Sequence, residues 1–173
     1  EQEKETIHRY GMNEFRLFGL PAPEEGNVIG ILGANGTGKT TAISLLAGEI
    51  IPNLGEWEED GNWDNVIDYY AGSDIQKHFI GLSNKKIRIA LKPQYVDRIP
   101  KMFDGTLREL LEKVTSPEKV NEFAEKINLT SLDKNLSKVS GGELQKGAIA
   151  ATLLKDADLY FFDDLVNVII RSF

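Results

Sequence analysis

Cysteine is missing from all 173 residues, which excludes disulfides, thiolate metal sites and cysteine-ligated iron-sulfur clusters from this chain. A reducing cytoplasm is therefore the expected compartment. Histidine is scarce, with only His8 and His78. No apolar run approaches the length of a membrane span, and Glu1-Gln2-Glu3-Lys4-Glu5 is the opposite of a signal peptide, so no membrane partner is expected. An excess of positive charge is lacking too. The net charge of -7 argues against nucleic-acid binding through overall attraction and leaves room only for a local basic patch, with no sequence-specific contact to nucleic acid expected. The chain opens without methionine, and it reads as cut from something longer. Its length suits one domain, or a large part of one, with a substantial core.

What is present is organised around residues 33–41, Gly-Ala-Asn-Gly-Thr-Gly-Lys-Thr-Thr, which fit the phosphate-binding pattern G-x-x-x-x-G-K-[ST]. Before it, Val28-Ile29-Gly30-Ile31-Leu32 is a short apolar run suited to a buried parallel strand. After it, Ala42-Ile43-Ser44-Leu45-Leu46-Ala47 begins a helix, and Gly48 is placed to end it. Strand, glycine loop and helix in that order aim backbone N–H groups and a helix dipole at one spot, which favours a polyphosphate. Lys39 is placed for the β- and γ-phosphates and the Thr40 hydroxyl for Mg²⁺. Such a loop recruits neither lysine nor three glycines when it is only a turn.

Taken in order, residues 14–18 alternate polar and apolar and predict a strand with one buried face, followed by a Pro21-Ala22-Pro23 turn. Tyr10 and Phe15 lie just upstream of the loop, where a ring could stack on adenine or simply pack. Residues 57–86 read as an insertion of two short helices around Gly72-Ser73, with Val66, Ile67, Tyr70, Ile75 and Phe79 buried. By default it is a solvated excursion of the kind that carries partner contacts. Residues 87–91 predict a second strand, ended by Lys92-Pro93-Gln94-Tyr95. From 101 to 155 the pattern is helical. Thr106 with Glu109 forms a capping box, and apolar stripes run through Leu107, Leu110, Leu111 and Val114, then Val120, Phe123, Ala124 and Ile127.

Ser140-Gly141-Gly142-Glu143-Leu144-Gln145 opens a further helix with a second capping box. Its two first-turn glycines cost about 1 kcal/mol each relative to alanine, a penalty that a plain structural helix has no reason to accept. Close approach of backbone to an anion at the helix N-terminus explains them. Leu159-Tyr160-Phe161-Phe162-Asp163-Asp164 is an apolar strand ending in two carboxylates. Following a phosphate loop, the first would hold the Mg²⁺ shell and the second would orient or deprotonate water; in isolation the pair would more often be a strand-end turn.

The glycine loop, Gln94, Ser-Gly-Gly-Glu-Leu-Gln and the Asp-ended strand, in this order, resemble the motif set of ABC-type ATPases. His8-Arg9-Tyr10-Gly11, Pro52-Asn53-Leu54-Gly55, Lys92-Pro93-Gln94-Tyr95-Val96-Asp97 and Leu136-Ser137-Lys138-Val139 narrow the resemblance to the first nucleotide-binding domain of the ribosome-recycling, or RNase L inhibitor, family of archaeal type. It runs from about Thr6 to Asp163. It implies an α/β P-loop fold with a mostly parallel sheet, an N-terminal antiparallel β element and a helical signature subdomain over 105–155. Residues 1–173 would form a single, partial ABC domain. ATP and Mg²⁺ are the implied cofactors. Asn35, Gly36, Thr37, Gly38, Lys39, Thr40 and Thr41 would hold phosphate, while Thr40, Gln94 and Asp163 would serve the metal. Gln94 and Asp164 are the catalytic candidates, and Ser140 and Gly142 would face the nucleotide of a second ABC domain. The small ribosomal subunit is the implied partner of 57–86, and ATP-driven separation of ribosomal subunits the implied activity. Three departures stand out. The family's cysteine-rich domain is absent, Asp164 stands where the family has glutamate and a following Leu-Asp loop, and no histidine occurs beyond the Asp-ended strand. A solute-transporter ATPase subunit and a domain that binds nucleotide without turnover are the rival readings.

Overall fold

The computed structural model describes residues 5–163, in two compact units divided at Ile87 and Arg88. The chain is an α/β P-loop protein.

In the first unit, β1 (His8–Arg9) pairs antiparallel with β2 (Arg16–Leu17), with His8 opposite Leu17. The strand expected over 14–18 is thus present as a two-residue core. Asn53 extends this edge by accepting from the Arg9 N–H at 3.1 Å and donating to the Arg9 carbonyl at 2.8 Å. Helix α1 (Lys39–Leu46) follows the glycine loop and buries Ala42, Ile43, Leu45 and Leu46. Gly48 lies just beyond its end with φ 74°. Helices α2 (Trp63–Tyr69) and α3 (Asp74–Ser83) flank the turn at Gly72–Ser73.

One expectation fails in this unit. Residues 28–32 are not a buried strand: Val28 is 80% exposed and Leu32 96% exposed. A parallel strand draws every ladder hydrogen bond from neighbours distant in sequence, and no described strand pairs with this run. Apolar composition alone cannot hold it in place. The mostly parallel sheet is accordingly reduced, among the described residues, to one parallel pair.

That pair lies in the second unit, where β3 (Ile89–Leu91) runs parallel to β4 (Leu159–Phe161) with Ala90 opposite Tyr160. Arg88 fixes the start of both strands, because its guanidinium meets Asp156 and Asp158 and its backbone N–H donates to Asp158 at 2.8 Å. The hydrogen bond from the Arg88 side chain, then that from its backbone, pushes the Asp158 carboxyl down to about 2. Helices α4 (Ile99–Met102), α5 (Leu107–Glu112), α6 (Pro117–Lys126) and α7 (Gly141–Leu153) complete the unit around a core that includes Leu107, Leu111, Val120, Leu136, Leu144 and Ala148. Both expected capping boxes are present. Gly147 lets α5 and α7 meet closely: a Cβ there would lie 2.7 Å from Leu107 Cδ1, so a side chain would force the buried Leu107 to shift. No helix among the described residues is long and apolar enough to cross a membrane.

Candidate nucleotide site

The loop over 33–38 turns into α1 at Gly38, whose φ of 87° is one that L side chains rarely adopt. A Cβ on Gly38 would also collide with the ring of Phe15, so glycine is needed twice over at this position. No side chain caps α1, and no acidic residue stands in its first turn. The helix therefore presents N–H groups and the positive end of its dipole with no competing anion from its own turn, which fits a polyphosphate. Lys39 Nζ donates to the carbonyls of Gly33 at 2.9 Å and Ala34 at 2.8 Å, which lays its ammonium over the loop. Thr37 braces the same loop by donating from Oγ1 to the Ala34 carbonyl at 2.8 Å. Asn35, Gly36, Thr37 and Thr40 are exposed.

Both upstream aromatics come to this loop. Tyr10 Oη lies 3.1 Å from Thr41 Oγ1 with its ring about half exposed, and half-buried Phe15 lies against Gly38. The antiparallel turn between β1 and β2 is what delivers them. Sequence proximity suggested the neighbourhood; it did not distinguish a hydroxyl contact to Thr41 from a ring seated on glycine.

In the second unit, the signature segment caps α7. Ser140 Oγ accepts from the Glu143 N–H at 3.3 Å, while Glu143 Oε2 accepts from the Ser140 N–H at 3.3 Å and from its hydroxyl at 3.0 Å. The Ser140 backbone bond, then the hydroxyl bond, holds the Glu143 carboxyl below its usual range. Gly141 and Gly142 are exposed, and a Cβ on either would meet nothing within 4 Å. Packing within the unit therefore does not account for them, and a close-approaching group from outside it would. Gln94 is exposed three residues beyond β3, and Asp163 is buried two residues beyond β4. Asp164 lies outside the described residues. Lys92, read from sequence merely as the end of a strand, is only 1% exposed, with Nζ donating to the Pro93 carbonyl at 3.1 Å and to Gln145 Oε1 at 3.4 Å. It thereby ties the backbone just before Gln94 to the signature helix. Only its apolar neighbours in sequence could have hinted at this.

Among the described residues, no cluster of three or more His, Cys, Asp or Glu side chains could cage a metal. A Mg²⁺ shared between one or two protein oxygens and phosphate needs no such cage, and the Thr40 hydroxyl is an oxygen donor of the kind that ion takes.

Comparison with known proteins agrees with this reading. The family profile described as ABC transporter matches residues 23–167. An uncharacterised ABC transporter ATP-binding protein of Methanocaldococcus jannaschii is 48% identical over 163 residues, which is 94% of this chain and 27% of that protein. The chain thus spans about a quarter of the length of that relative. ABC transporter E family member 3 of Arabidopsis thaliana is 32% identical over 81% of this chain and 68% of its own length. Among solved structures, an archaeal ribosome recycling factor, in complex with the archaeal ribosomal stalk protein, is similar with a TM-score of 0.82 and 48% identity, over 92% of this chain and 31% of that one. A profile match across most of the sequence, joined to a curated relative matched over more than two thirds of its length, places the loop and signature in one lineage: the chain belongs to the ABC transporter family and, within it, to the E family.

Proposed function

We propose that this chain is an ATP-binding domain of a ribosome-recycling ATPase that acts in the cytoplasm and couples ATP binding and hydrolysis to separation of ribosomal subunits. The observation that carries the reading is the uncapped, acid-free start of α1 behind Gly38, with the Lys39 ammonium laid over the loop. Asn35, Gly36, Thr37, Gly38, Lys39, Thr40 and Thr41 hold the phosphates, with Tyr10 and Phe15 beside them for the base. Thr40, Gln94 and Asp163 serve Mg²⁺. The exposed Ser140 and Gly142 serve the nucleotide of a second ABC domain. When bound, Mg-ATP supplies the phosphoryl group that water attacks, and the residues of this chain orient, screen and neutralise it.

Turnover by the 173-residue chain alone should be slow. Asp164 is one methylene shorter than the glutamate of the family pattern, and a misplacement of about 1 Å in a water-orienting group can cost on the order of a hundredfold. His8 and His78 are both buried in packing, and a lone domain lacks an opposing signature to stabilise developing charge. A phosphate-release assay with Lys39→Ala as blank should read far below about one turnover per second, the low end for phosphoryl transfer. Turnover at that rate, abolished in the blank, would refute the slow-site argument.

The partner is tested by co-sedimentation. Lys77, Lys85 and Lys86 are exposed on and just after α3, in the same 57–86 segment assigned to the small subunit. Ribosomal surfaces are rich in phosphate, so binding should weaken with salt and be lost in Lys85→Glu with Lys86→Glu. Sedimentation with membranes and not with small subunits would favour a transporter subunit.

A further inference from the structure

The segment read as a partner element is tied to the far end of the helix that the glycine loop starts. His78 on α3 is 7% exposed, and its Nε2 lies 2.7 Å from the carbonyl oxygen of Leu46, the last residue of α1. A carbonyl can only accept, so Nε2 carries the hydrogen and donates. Burial lowers the pKa of the ring, against the opposing pull of the Leu46 carbonyl, and the imidazole is neutral at neutral pH. The Leu46 carbonyl is one of the end groups that α1 cannot satisfy internally, and the inserted helix supplies its partner. Apolar packing surrounds the contact. Phe79 is fully buried with its ring centroid 5.8 Å from His78, 5.1 Å from Tyr70 and 6.0 Å from Trp63, and a Cβ on Gly48 would lie 3.3 Å from Leu82 Cδ2. Close-packed interiors pass a displacement on instead of absorbing it. Helix α1 is eight residues long and carries Lys39, Thr40 and Thr41 at its other end. It can act as a short rigid rod between the loop and Leu46.

We propose that His78 is a positioning residue that couples occupancy of the phosphate loop to the placement of α2 and α3, through its hydrogen bond to Leu46 at the end of α1. The coupling rests on the reading that residues 33–41 bind Mg-ATP. It is reciprocal: whatever engages α2 and α3 changes ATP affinity by the factor with which ATP changes that engagement.

Trp57 and Trp63 are the two tryptophans of the chain, and Trp63 lies in the His78–Phe79 cluster. In a Trp57→Phe background, Mg-ATP titration should change Trp63 emission with the half-saturation of ATP binding measured by calorimetry. His78→Asn, whose amide is too short to reach Leu46, should leave binding near the parent value and remove most of the emission change. His78→Gln places an amide nitrogen near the position of Nε2 and should keep most of the change. Calorimetric binding with a silent Trp63, or a full emission change in His78→Asn, would overturn the coupling and leave the nucleotide site standing. Absence of binding in the parent would overturn both. Should His78→Asn fail to fold, loss of the emission change in folded His78→Gln overturns the proposal, and its retention supports it.

Discussion

Lys39→Ala is expected to lower Mg-ATP affinity by at least about a hundredfold, since charge-assisted hydrogen bonds contribute about 1.5–3 kcal/mol each and the ammonium would make more than one with phosphate. Nζ donates to the Gly33 and Ala34 carbonyls, so the side chain is laid over the loop and little ordering is left for binding to offset. The substitution should spare the fold. Alanine is the best helix former, and the substitution at the first position of α1 leaves every backbone N–H of the helix in place. Titration with a fluorescent ATP analogue, alongside thermal unfolding, separates the two effects. Unchanged affinity in a folded Lys39→Ala would remove the phosphate loop from the argument altogether.

What could be read from the chain followed the range of the interactions involved. The capping boxes at Thr106 and Ser140 close within three residues, so their geometry is written locally, and both form as the pattern says. The glycine loop is legible for the same reason: a lysine, a threonine and spaced glycines are a local requirement of phosphate binding. Residues 28–32 show the opposite case. Their apolar run satisfies every local condition for a strand, yet a strand exists only where a ladder partner from elsewhere in the chain pairs with it. Burial of polar residues was illegible for a related reason. Nothing within a few positions of His78 announces that Leu46 will offer it a carbonyl, and nothing near Lys92 announces Gln145. The contact between Phe15 and Gly38 is visible only once β1 and β2 have paired and returned the chain to the loop.

Deleting residues 57–86 should destroy the first unit and ATP binding with it, which reverses the expectation of a solvated excursion. The segment contributes Val66 and Phe79, both fully buried, and Ile75 at 5% exposure, and it supplies the His78 bond that satisfies the end of α1. Large-to-small replacement at a fully buried aromatic costs about 3–5 kcal/mol. Phe79→Ala alone should therefore consume a large part of the roughly 5–15 kcal/mol that holds an ordinary domain together. The deletion removes Val66 and Ile75 along with Phe79, and no described element would replace them. By contrast, Tyr69→Phe should cost little, because Tyr69 is 40% exposed and its hydroxyl donates to Glu5 at the surface. Near-UV circular dichroism and urea unfolding of the deletion, Phe79→Ala and Tyr69→Phe, each paired with nucleotide titration, test the ranking. A deleted chain that unfolds at the same urea concentration as the parent and binds ATP equally well would mean that α2 and α3 are detachable. The buried cluster around Phe79 would then contribute nothing to the helix that carries the phosphate loop.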